Sequence, residues 1–151
     1  MEVAVGGSRN FKGLPLVDGE RGWSNGVLDC FADPLTLLVS WAAPCLVYGR
    51  NRARYRALES PGEVSRSAGE GLASGDSLLY CVAMSFGCGA CIGMRGRSLT
   101  RRRYGIRGTA CGDCCVSCCC APCALTQESR EIELEEQSLG HPGAGFSALL
   151  K

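Results

Sequence analysis

The chain has 151 residues, a formal net charge of +1 and twelve cysteines, about 8% of its length. This length predicts a single domain, and the near-neutral charge gives no reason to expect a nucleic-acid partner. The first 22 residues lack the apolar run of a signal peptide, so we expect a cytosolic location, where thiols stay reduced. The single histidine, His141, lies in a Gly/Pro-rich segment, so any metal site would depend on thiolates.

The composition along the chain predicts three regions. Residues 1–21 mix Gly, Ser and charged residues without a period, which is typical of a disordered tail. Residues 22–136 are predicted to form one Cys-rich, membrane-associated domain with a Ser/Gly/Glu-rich surface loop at 59–76, and residues 137–151 a second tail. The predicted fold class is mostly α: a small Cys-rich helical domain with two apolar helical segments and disordered tails.

The first apolar segment, residues 27–48, is uncharged from Pro34 to its end. Asp33 and Pro34 predict a helix start, because an aspartate accepts free backbone N–H groups and proline fits the first helical position. Pro44 either interrupts this helix or begins a second one. The uncharged run is shorter than the ~20 residues of a straight bilayer span. Four arginines follow within residues 50–56, either as a patch for anionic lipid headgroups or as a solvated helix end.

The second apolar segment, residues 77–94, has 18 uncharged residues and is the most membrane-like stretch of the chain. Its three glycines make a thin helix that another helix could approach closely. Four sulfur-containing residues at spacings of three and four would form one stripe on a single helix. They are Cys81, Met84, Cys88 and Cys91.

Six arginines follow between Arg95 and Arg107, where Ser98 is predicted to cap a short helix and Gly105 to end it. This basic run lacks the interleaved aromatics and motifs of nucleic-acid binding. Basic residues flank the second segment on both sides, and such residues favour the cytoplasmic side. We therefore expect attachment to one leaflet rather than a span. The side chains predicted to face the membrane are Leu35, Leu37, Leu38, Trp41, Leu78, Leu79, Tyr80 and Phe86.

Seven cysteines lie between Cys111 and Cys123. Two thiolates three positions apart can chelate one Zn²⁺. The first two such pairs are Cys88/Cys91 and Cys111/Cys114, and their separation along the chain suits a zinc site. Apolar packing of free thiols, and S-acylation or disulfides, remain open as alternatives. The candidate metal ligands are Cys88, Cys91, Cys111, Cys114, Cys115, Cys118, Cys120 and Cys123. A cysteine nucleophile needs a nearby base, so we do not expect an enzyme.

A last helix is predicted from Pro122, with a loose apolar stripe at Leu125, Ile132 and Leu139. Its other faces are crowded with glutamates. We expect these carboxylates to neutralise Arg101–Arg103 across the fold, so charge reversal at Glu131 or Glu135 should destabilise the protein.

Two motifs resemble the placenta-specific-eight Cys-rich domain family, whose members include plant cadmium-resistance proteins and fruit-weight or cell-number regulators. The similarity covers roughly residues 22–136. The residues that carry it are Trp41, Pro44, Cys45, Tyr48, Gly49, Asn51, Pro122, Cys123, Ala124, Leu125, Gln127, Glu128, Arg130 and Glu131. The chain departs from the family pattern at Ala43 and Thr126, where the family often has cysteine.

The resemblance implies a small, self-associating protein at the cytosolic face of a membrane, usually the plasma membrane. It implies a regulator of divalent-metal (Cd or Zn) tolerance or of cell number. Membrane lipid, a divalent ion and further copies of the chain would be its partners, and Zn in a thiolate site its cofactor. The alternative is a metal-free membrane interaction or scaffold protein that acts through homo-oligomers.

Overall fold

A computed structural model describes residues 6–60 and 74–140, and the described part is helical, as the sequence predicts. Most of the predicted surface loop, His141 and the end of the predicted C-terminal tail lie outside the described residues. A 3-10 helix spans Val27–Ala32. The α-helices are α1 (Pro34–Ala42), α2 (Pro44–Glu59), α3 (Gly75–Ser85), α4 (Gly89–Tyr104), α5 (Ala110–Cys119) and α6 (Ala121–Ser138).

Prolines begin three of these helices, which confirms the predicted starts. The Asp33 carboxylate accepts a hydrogen bond from the backbone N–H of Thr36 at 3.2 Å and caps α1. Pro44 is the first residue of α2, so it restarts the chain in a second helix. Pro122 lies in the first turn of α6.

The second apolar segment is not one helix, so the prediction of a single sulfur-bearing stripe is wrong. Helix α3 ends at Ser85, and Gly87 adopts a φ of +74°, a left-handed conformation that suits glycine and turns the chain. Cys81 and Met84 therefore lie on α3, whereas Cys88 and Cys91 belong to the start of α4. Among residues 6–60 and 74–140, no helix has the length and hydrophobicity that crossing a bilayer requires.

Helix α4 runs uninterrupted through Ser98, which therefore does not cap a short helix as predicted. Its end at Gly105 is confirmed: this glycine adopts a φ of +60° and donates its backbone N–H to the carbonyls of the last turn. The uninterrupted helix keeps Arg97, Arg101 and Arg103 on one rigid element.

Helix α6 is the centre of the fold and packs against α1, α2, α4 and α5. Two small apolar clusters form around it. Val47, Tyr48 and Tyr80 surround Leu125, and the rings of Tyr48 and Tyr80 stack with centroids 4.8 Å apart. The second cluster consists of Leu58, Tyr104, Ile106 and Ile132. Leu139, the third residue of the predicted stripe, is exposed.

Most of the other buried side chains in the described residues are polar or charged. Glu128, Glu131 and Glu135 of α6 are each 1% exposed, and each pairs with an arginine from another part of the chain. The shortest nitrogen-to-oxygen distances are 3.1 Å for Arg52–Glu128, 2.6 Å for Arg21–Glu131 and 2.7 Å for Arg103–Glu135. Burial raises the pKa of Glu128, and the charge of Arg52 opposes this rise.

The expected neutralisation of Arg101–Arg103 is confirmed for Arg103, which pairs with Glu135. Arg101 instead pairs with Asp113 of α5 at 2.9 Å, and Arg102 is exposed. The two interpretations offered for the arginines of α2 fail for Arg52 and Arg54. Both are buried in ion pairs, so they form neither a lipid patch nor a solvated helix end.

The N-terminal segment, predicted to be disordered over residues 1–21, is described from Gly6 onward and lies against α6. The backbone N–H of Gly7 donates to Glu135 at 3.1 Å. Arg21 is buried, pairs with Glu131 and exchanges backbone hydrogen bonds with the end of α4. This segment therefore supplies part of the ionic core.

Candidate thiol site and exposed apolar surfaces

Helix α5 presents its thiols to the outside because its opposite side is held in the core. The Asp113 carboxylate is buried between Arg97 and Arg101, with nitrogen-to-oxygen distances of 3.3 and 2.9 Å. Ser117, one turn later, is buried against Gly93 of α4. Successive residues of an α-helix are rotated by 100° about its axis, so the cysteines lie on the side of α5 that faces away from Asp113 and Ser117. Cys111, Cys115, Cys118 and Cys119 are exposed, and Cys114 is partly so.

These thiols come together as two pairs, each spaced four residues apart. The sulfurs of Cys114 and Cys118 are 3.9 Å apart. Cys111 and Cys115 have the same spacing on this helix, and the Cys111 thiol raises the pKa of Cys115. Sharing a proton within each pair raises the pKa of Cys114 and of Cys115, with a smaller contribution from charge repulsion between the thiolates. Both thiols are therefore protonated at neutral pH, and a metal ion would have to displace those protons.

The separation within the Cys114–Cys118 pair suits a soft metal ion. A tetrahedral ion with metal–sulfur bonds of ~2.3 Å has neighbouring sulfurs ~3.8 Å apart. The separation of the pair therefore matches that of two of the four ligands around such an ion. In the part of the chain that the structure describes, no three His, Cys, Asp or Glu side chains are gathered as a metal-binding group.

The remaining predicted ligands lie elsewhere. Cys88 is the residue before α4 and Cys91 lies in its first turn, and both are exposed. Cys120 and Cys123 form a disulfide at the start of α6, one of the alternatives left open by the sequence. The eight predicted ligands thus divide into two pairs on α5, a disulfide, and two exposed thiols at the start of α4.

A further thiol contact links two helices and was not predicted. Cys45 of α2 is half-buried and lies near Cys81 of α3, and burial, followed by the charge of Cys81, raises the pKa of Cys45. These residues are 36 positions apart. Their proximity depends on how α2 and α3 pack, and no local pattern indicates it.

Five of the eight side chains predicted to face a membrane are exposed, with Trp41 at 76% and Phe86 at 79%. Leu35 and Leu37 are half-buried. Tyr80 differs from the expectation: it is 1% exposed, and burial raises its pKa to about 12. The exposed set also includes side chains that the sequence reasoning missed. They are Leu28, Phe31, Val82 and Met84.

Many of the exposed apolar side chains lie on two surfaces, one around α1 and one on α3. The α1 surface contains an apolar groove of about 330 Å³. Its lining residues are Phe31, Pro34, Leu37, Leu38, Trp41, Cys120, Pro122 and Cys123. The α3 surface consists of Leu78, Leu79, Val82 and Phe86, which lie on one side of the helix and its end.

Most residues of the two motifs hold helices together and do not form a pocket. Gly49 lies where α2 meets α3, and Asn51 donates to the backbone carbonyl of Leu125 at 3.1 Å. Gln127 donates to the carbonyl of Asn25 at 2.6 Å. Thr126, one of the two departures from the family pattern, is buried and donates to the carbonyl of Pro122 at 2.8 Å. A hydroxyl therefore makes a structural hydrogen bond there.

Comparison with known proteins agrees with the motifs. A family model described as the PLAC8 family matches residues 23–131. Plant cadmium resistance 9 of Arabidopsis thaliana is 36% identical over 116 residues, covering 76% of this chain and 70% of the relative. Cell number regulator 11 of Zea mays is 34% identical over 123 residues, covering 79% of this chain and 69% of the relative. No solved structure matches significantly. The resemblance found in the sequence is thus confirmed, and the chain belongs to the PLAC8 family.

Proposed function

We propose that this protein attaches to the cytosolic face of a membrane, the plasma membrane, and binds soft divalent cations through the thiols of α5. In this role it acts in metal tolerance, as the names of its cadmium-resistance relatives suggest for those proteins. The proposal assigns the chain a binding role rather than catalysis. A metal-free scaffold is the competing function, and the metal experiment below separates the two.

One observation carries the metal-binding part: the 3.9 Å between the sulfurs of Cys114 and Cys118. Thiolates favour soft ions such as Zn²⁺ and Cd²⁺. The pair is exposed on the outer side of α5, so an ion reaches it without unfolding the domain. The paired arginines on Asp113 keep α5 in this orientation.

The membrane part rests on the distribution of apolar side chains. The described core buries many charged and polar groups, while large apolar side chains are left outside on the α1 and α3 surfaces. Exposed apolar patches of this kind mark sites of interaction with proteins or membranes. Full burial of one Leu or Phe side chain contributes about 1.5–3 kcal/mol. The α3 surface alone offers four large apolar side chains.

We expect metal to remain with the protein when it is purified in mild detergent with reductant and without chelator. Elemental analysis should find Zn, or Cd after loading, at no less than one ion for two chains. Serine at Cys111, Cys114, Cys115 and Cys118 should remove it, because a hydroxyl is a poor ligand for a soft ion. Cys119→Ser, on the same helix but outside the pairs, is the matched control and should keep the metal. A folded, metal-free wild-type protein would contradict the proposal and favour the scaffold.

Binding to neutral phosphatidylcholine vesicles should depend on the α3 surface. The double variant Leu78→Asn/Phe86→Asn should weaken binding by about tenfold or more, because both side chains lose apolar contact with the lipid. Leu16→Asn changes an equally exposed leucine of the N-terminal segment and should have little effect. Co-sedimentation at low and high salt measures this, and the binding should be insensitive to salt. Equal binding by both variants would exclude α3 as the membrane surface.

A further inference from the structure

We infer that a soft cation joins two copies of this protein, with Cys114 and Cys118 of each copy supplying two of its four ligands. The inference rests on the proposed metal-binding function and adds its partner, which is a second copy of the chain. On ligation each thiol releases its proton to solvent, so that four thiolates surround one ion.

The geometry of one helix explains why a second copy is needed. Tetrahedral ligands enclose an ion on all sides. Cys114 and Cys118 lie one turn apart on the convex outer surface of α5, so they approach an ion from one side only. Cys111 and Cys115 project from the same surface and cannot reach the far side of that ion. The two remaining ligand positions therefore face away from the chain.

The outer surface of α5 permits another α5 to come close. It also carries Ala110, with only a methyl group, and Gly112, with no side chain, and such small residues allow two backbones to approach. Asp113 is the only charged residue of α5, and it is buried and paired with arginines. Two copies of this surface therefore meet without like-charge repulsion between their α5 residues.

If a two-fold axis passes through the ion, each chain supplies two of the four ligands in the same geometry. In such an isologous contact the same residues face each other, so one pair of thiols in each copy completes one tetrahedral site. The rigid placement of α5 by Arg97 and Arg101 presents both sulfurs already at the required separation. Ion binding and dimer formation are then one event.

The test is sedimentation velocity of the full-length reduced protein in density-matched detergent, titrated with Co²⁺ or Cd²⁺ under anaerobic conditions. The wild type should pass from monomer to dimer as the ion is added and return to monomer with a chelator. Cobalt should show the intense visible absorption of a tetrahedral four-thiolate site. Cys114→Ser/Cys118→Ser should lose both the dimer and this spectrum, while Cys119→Ser should keep both. Far-UV circular dichroism confirms that each variant is folded.

The outcomes separate this inference from the proposed function. Metal bound by a protein that stays monomeric would overturn the bridge and leave metal binding intact. A dimer that forms equally without metal, or that survives in Cys114→Ser/Cys118→Ser, would also overturn it. If neither ion binds the wild type, the proposed function fails and the inference falls with it.

Discussion

Glu135→Ala is expected to lower the free energy of unfolding by about 3–5 kcal/mol, because it removes the close, buried counter-ion of Arg103 and leaves only the half-exposed Glu59 carboxylate at 3.9 Å. Glu135 accepts hydrogen bonds from Arg103 at 2.7 and 3.0 Å, from the Tyr104 hydroxyl at 2.6 Å and from the Gly7 backbone at 3.1 Å. The Arg103 side chain is 3% exposed. Water therefore cannot replace the lost carboxylate.

Denaturant unfolding in mild detergent, followed by circular dichroism, measures this loss. Charge reversal, Glu135→Lys, should cost still more, since it places two cations together in the core. Glu133→Lys on the same helix is the matched control, and because Glu133 is partly exposed it should have a small effect. Equal stability of the two lysine variants would show that the buried ion pairs do not stabilise this fold.

A paired replacement distinguishes a broken ion pair from a general packing defect. Arg103→Leu/Glu135→Leu removes both charges and keeps apolar volume in the core. Replacing both partners of a buried pair is often close to neutral, whereas removing one is not. The double variant should therefore be more stable than Glu135→Ala. If it is equally unstable, the loss comes from packing around Glu135 and not from the unpaired charge.

Gly49→Ala is expected to destabilise the protein by about 1–3 kcal/mol, because the added methyl group overpacks the contact between α2 and α3. A Cβ at this position would lie 2.9 Å from the Cβ of Ser77 and still closer to its hydroxyl. The two helices would have to move apart. Gly75→Ala is the control, because a Cβ there meets no atom within 4 Å.

The same unfolding measurement tests this packing prediction. Gly49→Ala/Ser77→Gly removes the two Ser77 atoms that the new methyl group would meet and leaves only the Ser74 hydroxyl close to it, so it should recover part of the stability lost in Gly49→Ala. Gly75→Ala should be neutral or slightly stabilising. A Gly49→Ala protein as stable as the wild type would mean that α3 does not need to lie so close to α2.

Features that depend on neighbouring residues could be predicted from the sequence. Asp33 with Pro34 begins α1, Pro44 begins α2, and Gly105 ends α4, because capping and proline geometry act within one turn of a helix. The family could also be recognised, since its motifs are local strings of residues. The break at Gly87 was missed because an uncharged Gly-containing stretch is compatible with both one helix and two.

Features that depend on distant contacts could not be predicted in this way. The closely spaced arginines of α2 suggest a lipid-binding patch or a solvated helix end, but Arg52 and Arg54 pair with carboxylates on α6 more than 70 positions away. Tyr80 lies in an apolar stretch that suggests a membrane face, yet it stacks on Tyr48 in the core. Both outcomes depend on which helices pack together.

The sequence by itself determined that this is a helical, Cys-rich member of its family, with helix ends at particular prolines and glycines and with thiols concentrated near α5. Only the tertiary structure decided which thiols form pairs, which apolar side chains stay outside and which charges are buried. The physical reason is the range of the interactions. Caps and turns act over three or four residues, whereas the Asp113 contacts that direct the α5 thiols outward come from another helix.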